Sequence, residues 1–118
     1  MRDSYHKMLK MCNNAEELES DKWLSELEET SWLNHIKTML NGANMLIKPV
    51  RAGSSALIHC SDGWDRTSQL SCLAQLILDK HYRTIIGFEQ LIEKDFIFMG
   101  HQFKKRLGHS EKGSTSES

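Results

Sequence analysis

The stretch His59-Cys60-Ser61-Asp62-Gly63-Trp64-Asp65-Arg66-Thr67 concentrates the reactive side chains of this chain. Five residues separate Cys60 from Arg66, and a hydroxyl residue follows at once. This order suits attack by sulfur on a phosphate monoester. Backbone N–H groups at a helix N-terminus form an anion site, and a short loop wrapped around that terminus turns several amides inward. Gly63 allows a backbone φ that other residues resist. The same amides lower the pKa of a thiol at the loop's start, so that Cys60 attacks as thiolate. The planar fork of Arg66 matches two equatorial phosphate oxygens better than a lysine would. Thr67 is placed to hydrogen-bond the sulfur and assist its departure. A cysteine after an apolar strand is commonly a plain core thiol. Here the whole constellation, and not the thiol, carries the reading.

The loop also holds two carboxylates, Asp62 and Asp65. Ionised acids beside a thiolate and a phosphate dianion are electrostatically costly, so one is expected to be protonated when substrate is bound. Asp65, next to the arginine, is the candidate general acid for the leaving alcohol. Asp62 is left to order the loop or to meet substrate hydroxyls, the alternative being that both acids face solvent. Trp64 is expected to wall the pocket or cap its rim.

Elements on either side must hold this loop. Ala56-Leu57-Ile58-His59 follows a Gly-Ser-Ser turn and is short and apolar, as a buried strand would be. From Thr67, Leu70, Leu73, Ala74, Ile77 and Leu78 recur at helical spacing, and a further helix is expected from about Ile85 to Phe98, with Phe88, Leu91 and Ile92 inward. Upstream, three helical stripes are expected to face a core: Tyr5, Met8, Leu9 and Cys12; then Trp23, Leu24 and Leu27; then Trp32, Leu33, Ile36, Met39, Leu40 and Ala43. Thr30 or Ser31 would cap the third helix, and Pro49 is expected to end or kink it near Ile47. The fold class read from this pattern is α/β: a strand, phosphate loop and helix with flanking helices. One strand cannot satisfy its own backbone, so the sheet is incomplete in this chain. Residues 1–109 read as part of a phosphatase domain, and 110–118 as a polar flexible tail.

Composition narrows the setting. The 118 residues are 39% hydrophobic and 26% charged, which fits one small globular domain. No apolar run reaches the roughly 20 residues that cross a bilayer, and the N-terminus shows no signal-peptide pattern. Three cysteines without framework spacing favour a reducing compartment, the cytosol by default. The six histidines show no metal-ligand spacing, no cofactor is expected, and nucleic-acid binding has no motif behind it. The net charge of −1 covers an asymmetry: residues 80–106 carry six basic and three acidic side chains, a stretch suited to an anionic partner or simply a solvated mixed surface.

The loop from His59 to Thr67, followed by Ser68-Gln69-Leu70, resembles the signature of the myotubularin family of phosphoinositide 3-phosphatases. Ordinary tyrosine phosphatases do not use its Asp-Gly-Trp-Asp interior. The likeness extends to Trp32-Leu33-Asn34-His35-Ile36, to Tyr82-Arg83-Thr84-Ile85 with Gly87-Phe88, to Leu91-Ile92-Glu93-Lys94, and to Gly100-His101. It covers about residues 1 to 109. The resemblance implies hydrolysis of phosphatidylinositol 3-phosphate and 3,5-bisphosphate at the inositol 3 position, through a phosphocysteine and without metal. It implies that Ser61, Asp62, Gly63, Trp64, Asp65 and Arg66 contact the phosphate and that Asp65 is the general acid. It implies a phosphoinositide partner at endosomal membranes on the cytoplasmic side, with homo- or hetero-oligomers of family members. Two downstream basic residues of the family hold the inositol phosphates; here Arg106 matches the second, while Gln102 stands at the first. The family's usual continuation after Gly108-His109 is absent here. A protein tyrosine phosphatase and a catalytically incompetent adaptor are the competing readings.

Overall fold

The computed structural model describes residues 1–14 and 21–108, and the expected polar tail lies outside them. The described elements are α1 (Arg2–Asn13), α2 (Trp23–Glu29), α3 (Trp32–Arg51), α4 (Arg66–Leu78), a 3₁₀ turn (His81–Arg83), α5 (Ile85–Ile92), a π-helical turn (Glu93–Ile97) and α6 (Phe103–Arg106). The chain divides into two units, Met1–Met45 and Leu46–Ser118.

The α/β expectation does not hold. Among the described residues there is no strand, and Ala56 to His59 form irregular chain with Leu57 90% exposed. A strand exists only through ladder hydrogen bonds to a neighbour, and no neighbour is described. The architecture is helical.

In the first unit, α1 packs on α2, and Tyr5 meets Trp32 with ring centroids 5.6 Å apart. The buried positions are Ser4, Met11, Thr30 and Ala43. The stripe expected on α1 is therefore rotated: Met11 is buried, whereas Tyr5, Leu9 and Cys12 are exposed. Leu24, at 71%, and Leu33, at 55%, also face solvent, as does Leu40. Periodicity finds an apolar face but does not supply the partner that covers it. Thr30 links α2 to α3: its hydroxyl donates to the Leu27 carbonyl at 2.6 Å and accepts from the Trp32 N–H at 3.2 Å.

Pro49 does not end α3, which runs on to Arg51. The helix closes instead at Gly53, with φ +82°. The Gly53 N–H reaches the Val50 carbonyl at 3.0 Å and the Ser54 N–H reaches the Pro49 carbonyl at 2.9 Å, the paired bonds of a Schellman cap. A proline in the last turn removes one backbone bond, and the cap satisfies the carbonyls behind it.

In the second unit, Ile47, Cys72, Ala74 and Leu91 are buried, Leu91 completely. A polar seam joins α4 to the π turn: the Gln75 side-chain amide donates from Nε2 to the Ser71 hydroxyl at 2.9 Å and to the buried carboxylate of Asp95, while Lys94 Nζ donates to Gln75 Oε1. The single helix expected from Ile85 to Phe98 widens after Ile92, where the Phe98 N–H reaches back five residues to the Glu93 carbonyl at 2.9 Å. A second Schellman cap follows, with Gly100 at φ +77°: Gly100 N–H to Ile97 O at 3.1 Å, and His101 N–H to Phe96 O at 2.9 Å.

Gly87 lies where α5 begins against the 3₁₀ turn. The Thr84 hydroxyl caps α5 by accepting from the Gly87 N–H at 3.0 Å and donates to the His81 carbonyl at 2.8 Å. A Cβ at Gly87 would stand 2.0 Å from the His81 carbonyl oxygen. Backbone must shift to admit it, so Gly87→Ala is expected to cost about 1–3 kcal/mol, the span for forced overpacking. Urea unfolding of the variant beside the parent measures this, and an unchanged midpoint would show that the contact is not tight.

Candidate active site

The loop of residues 59 to 65 leads into the N-terminus of α4, with Asp65 at the N-cap position and Arg66 as the first helical residue. Gly63 has φ +87°, the left-handed conformation that its lack of a side chain permits. In this conformation its N–H donates to the Cys60 sulfur at 3.2 Å. The Cys60 thiol is lowered from 9.0 to about 6. The Thr67 hydroxyl contributes most, then the Gly63 N–H, with the Thr67 and Asp62 amides adding to them against a partial desolvation. The Thr67 hydroxyl is buried and completes no well-formed hydrogen bond among the described residues. Its pull on the sulfur is therefore that of a nearby dipole. At neutral pH the sulfur is a thiolate.

The other two described cysteines differ. Cys12 is exposed on α1, and Cys72 is buried in α4, where desolvation first and the Asp95 carboxylate second push its thiol up.

Arg66 donates from Nη2 to the Ser61 hydroxyl at 3.0 Å, across the mouth of the loop, and Ser61 lies 3.4 Å from an Asp62 carboxylate oxygen. Ser61, Asp62 and Arg66 are exposed, while Cys60, Gly63, Trp64 and Asp65 are half-buried. An aspartate at an N-cap ordinarily accepts from the first-turn amides of its helix. Asp65 makes no such bond. Its carboxylate is gripped by Arg106, with Nε at 3.2 Å from Oδ1 and Nη2 on Oδ2. His101 Nδ1 stands 3.2 Å from Oδ1 and 2.7 Å from the Trp64 carbonyl oxygen. Arg106 is the main cause that holds the Asp65 carboxyl below its usual range, partial burial opposing it and His101 and the Trp64 side chain assisting. Arg106 is raised in turn by the same contact.

The structure thus draws Arg106 to the loop from 41 residues downstream. Gln102 is not drawn in: it is the N-cap of α6, exposed, and its amide donates to the Gly100 carbonyl at 2.9 Å. Sequence reasoning passed over His101 as a member of the site. The signal was its place straight after Gly100, the position that a Schellman cap turns back toward the preceding helix.

The family model described as a myotubularin-like phosphatase domain matches residues 1–118. Over 96 residues the chain is 54% identical to a myotubularin of Xenopus laevis, covering 80% of this chain. Over 110 residues, 92% of the chain, it is 48% identical to a phosphatidylinositol-3-phosphate phosphatase of Homo sapiens and to a phosphatidylinositol-3,5-bisphosphate 3-phosphatase of Mus musculus. The matched part spans 16% of the first two relatives and 18% of the third.

With its thiol lowered to about 6, Cys60 is expected to react with iodoacetamide at a rate that rises through pH 6 and levels off above pH 7. Thr67→Val removes the largest stabilising dipole and is expected to move that midpoint upward, while Cys72 stays slow throughout because it is buried. A parent midpoint near 9 would remove the thiolate from the site.

Proposed function

Because the chain belongs to the family of myotubularin-like phosphatase domains, we propose that it carries the catalytic loop of a phosphoinositide 3-phosphatase acting on phosphatidylinositol 3-phosphate and the 3,5-bisphosphate. The observation that carries this reading is a cysteine whose sulfur accepts the Gly63 N–H and whose pKa is lowered, at the start of a loop with an arginine at the first position of the following helix. Such a loop binds a phosphate dianion and presents a nucleophile to its phosphorus.

The Cys60 sulfur attacks phosphorus and the bond from phosphorus to the inositol 3-oxygen breaks. Arg66 and the loop amides hold the equatorial oxygens as charge spreads over them. Asp65 delivers its proton to the departing oxygen. Water then attacks the phosphocysteine, Asp65 takes up a proton from it, and the thiolate leaves with the Thr67 hydroxyl beside it.

In the free loop Asp65 is ionised by Arg106. A substrate phosphate competes for the same guanidinium. Once Arg106 turns to the substrate, Asp65 loses the main influence that keeps it ionised and stands beside a dianion, so its pKa rises and it takes up the proton that it will deliver. Ligand binding itself arms the acid. A lipid substrate calls for work at a membrane surface, and the family resemblance supports the cytoplasmic face of endosomal membranes, reached peripherally, with homo- or hetero-oligomers of family members as the assembly. No helix among the described residues is long and apolar enough to cross a membrane.

The test is made in the intact protein that contains this chain. Cys60→Ser is expected to abolish phosphate release from the lipid. Asp65→Asn is expected to slow lipid hydrolysis by roughly 10²–10⁴-fold while sparing an aryl phosphate whose leaving group needs no proton. Equal losses on both substrates would assign Asp65 a structural role, and turnover by the Cys60→Ser variant would end the nucleophile assignment.

Gln102→Arg adds a cation four residues before Arg106. It is expected to tighten binding of the bisphosphate more than of the monophosphate, as read by calorimetry with soluble headgroups. If both affinities move equally, position 102 lies outside the phosphate site.

A further inference from the structure

His101 sits at the junction of three features that the proposed chemistry does not use. Its backbone is placed by the Gly100 cap, which turns the chain back on the π turn. Its ring is held edge-on by Phe96, at 5.1 Å and 82°, and by Phe103, at 4.7 Å and 74°, and its side chain is only 11% exposed. Its Nδ1 lies 2.7 Å from the Trp64 carbonyl. A carbonyl oxygen only accepts, so Nδ1 must carry the proton. That same N–H is within reach of Asp65 Oδ1 at 3.2 Å.

The peptide between Trp64 and Asp65 is trans, as are the other peptide bonds among the described residues, so its carbonyl and its N–H point in opposite directions. Fixing the carbonyl on His101 fixes the Asp65 amide on the opposite side and, with Asp65 at φ −104°, sets the direction in which its Cβ leaves the chain. We propose that His101 is a positioning residue that, through the Trp64 carbonyl, holds Asp65 in register with the leaving oxygen of the substrate. This inference rests on the phosphatase reading of the loop. It becomes decisive when substrate takes Arg106: the guanidinium is then no longer on Asp65, and His101, with the neighbouring Trp64 side chain, is left to keep the carboxyl in place. An aromatic clasp suits this role because Phe96 and Phe103 restrict ring rotation without competing for its N–H groups.

The proposal separates from a merely structural role by its dependence on leaving group. In the intact protein, His101→Ala is expected to lower kcat on phosphatidylinositol 3-phosphate by roughly 10²-fold, the scale of a misplacement of about 1 Å. Aryl phosphate turnover and the alkylation rate of Cys60 at pH 6 should change little. His101→Asn, whose amide nitrogen falls near the Nδ1 position, should recover most of the loss, whereas His101→Gln should not. Parallel loss on both substrates with slowed Cys60 alkylation, or failure of Asn to rescue, would overturn the proposal. Nitrogen-15 shifts of the His101 ring give a readout independent of turnover. A protonated Nδ1 is expected, and a ring protonated only at Nε2 overturns the inference. If the parent protein hydrolyses neither substrate while its ring shows Nδ1–H, the phosphatase reading fails and the clasp on Trp64 stands.

Discussion

A negative charge on sulfur, inside a loop that already carries two carboxylates, has to be compensated. The rest of the site follows from that demand. The Thr67 hydroxyl contributes most, and amides follow: Gly63 turns through a left-handed conformation and aims its N–H at Cys60, with the Thr67 and Asp62 amides adding their own. Charged side chains supply the second part. Arg66 spans the mouth to Ser61, and Arg106 takes the Asp65 carboxylate out of the balance. With Asp65 engaged there instead of capping α4, the positive end of that helix is not covered by a capping carboxylate.

The compensation requires α6 and the π turn to be held against the loop. Gly100 ends the π turn with a Schellman cap, the cap brings His101 back over Phe96, and four residues after Gln102 the chain presents Arg106. The seam of Gln75, Ser71, Lys94 and Asp95 fixes the π turn on α4, which is the same helix whose N-terminus receives the loop. A buried carboxylate such as Asp95 is tolerated because the Gln75 amide donates to it.

The loop was legible because its chemistry is local: nucleophile, glycine, arginine and hydroxyl are separated by spacings that the covalent chain enforces. The helices were legible too, though their faces less so. Leu24, Leu33 and Leu40 have the right period and still face solvent. A repeat of 3.6 residues identifies a stripe without saying what lies over it. Pro49 does not end α3 because the tolerance of a last helical turn depends on the cap beyond it, and that cap is signalled by Gly53. The expected strand at Ala56 to His59 depends on pairing with chain far from it in sequence, and no segment among the described residues supplies the pair. The grip of Arg106 on Asp65 joins residues 41 apart, and no local pattern reports such a distance.

The lowered thiol of Cys60 has a consequence for oxidation. Peroxides attack thiolates, not thiols, so among the two cysteines whose ionisation the structure shifts, the loop cysteine is the oxidisable one at neutral pH, while burial keeps Cys72 in the inert form. The first product is a sulfenic acid, which a thiol reverses; further oxidation to sulfinic acid is in general not reversed. The amides that stabilise a sulfur anion would equally favour an ionised sulfenate, lodged where the substrate phosphate belongs. The arrangement that activates the nucleophile therefore also exposes it to redox loss, and a reducing agent is a condition for observing its chemistry.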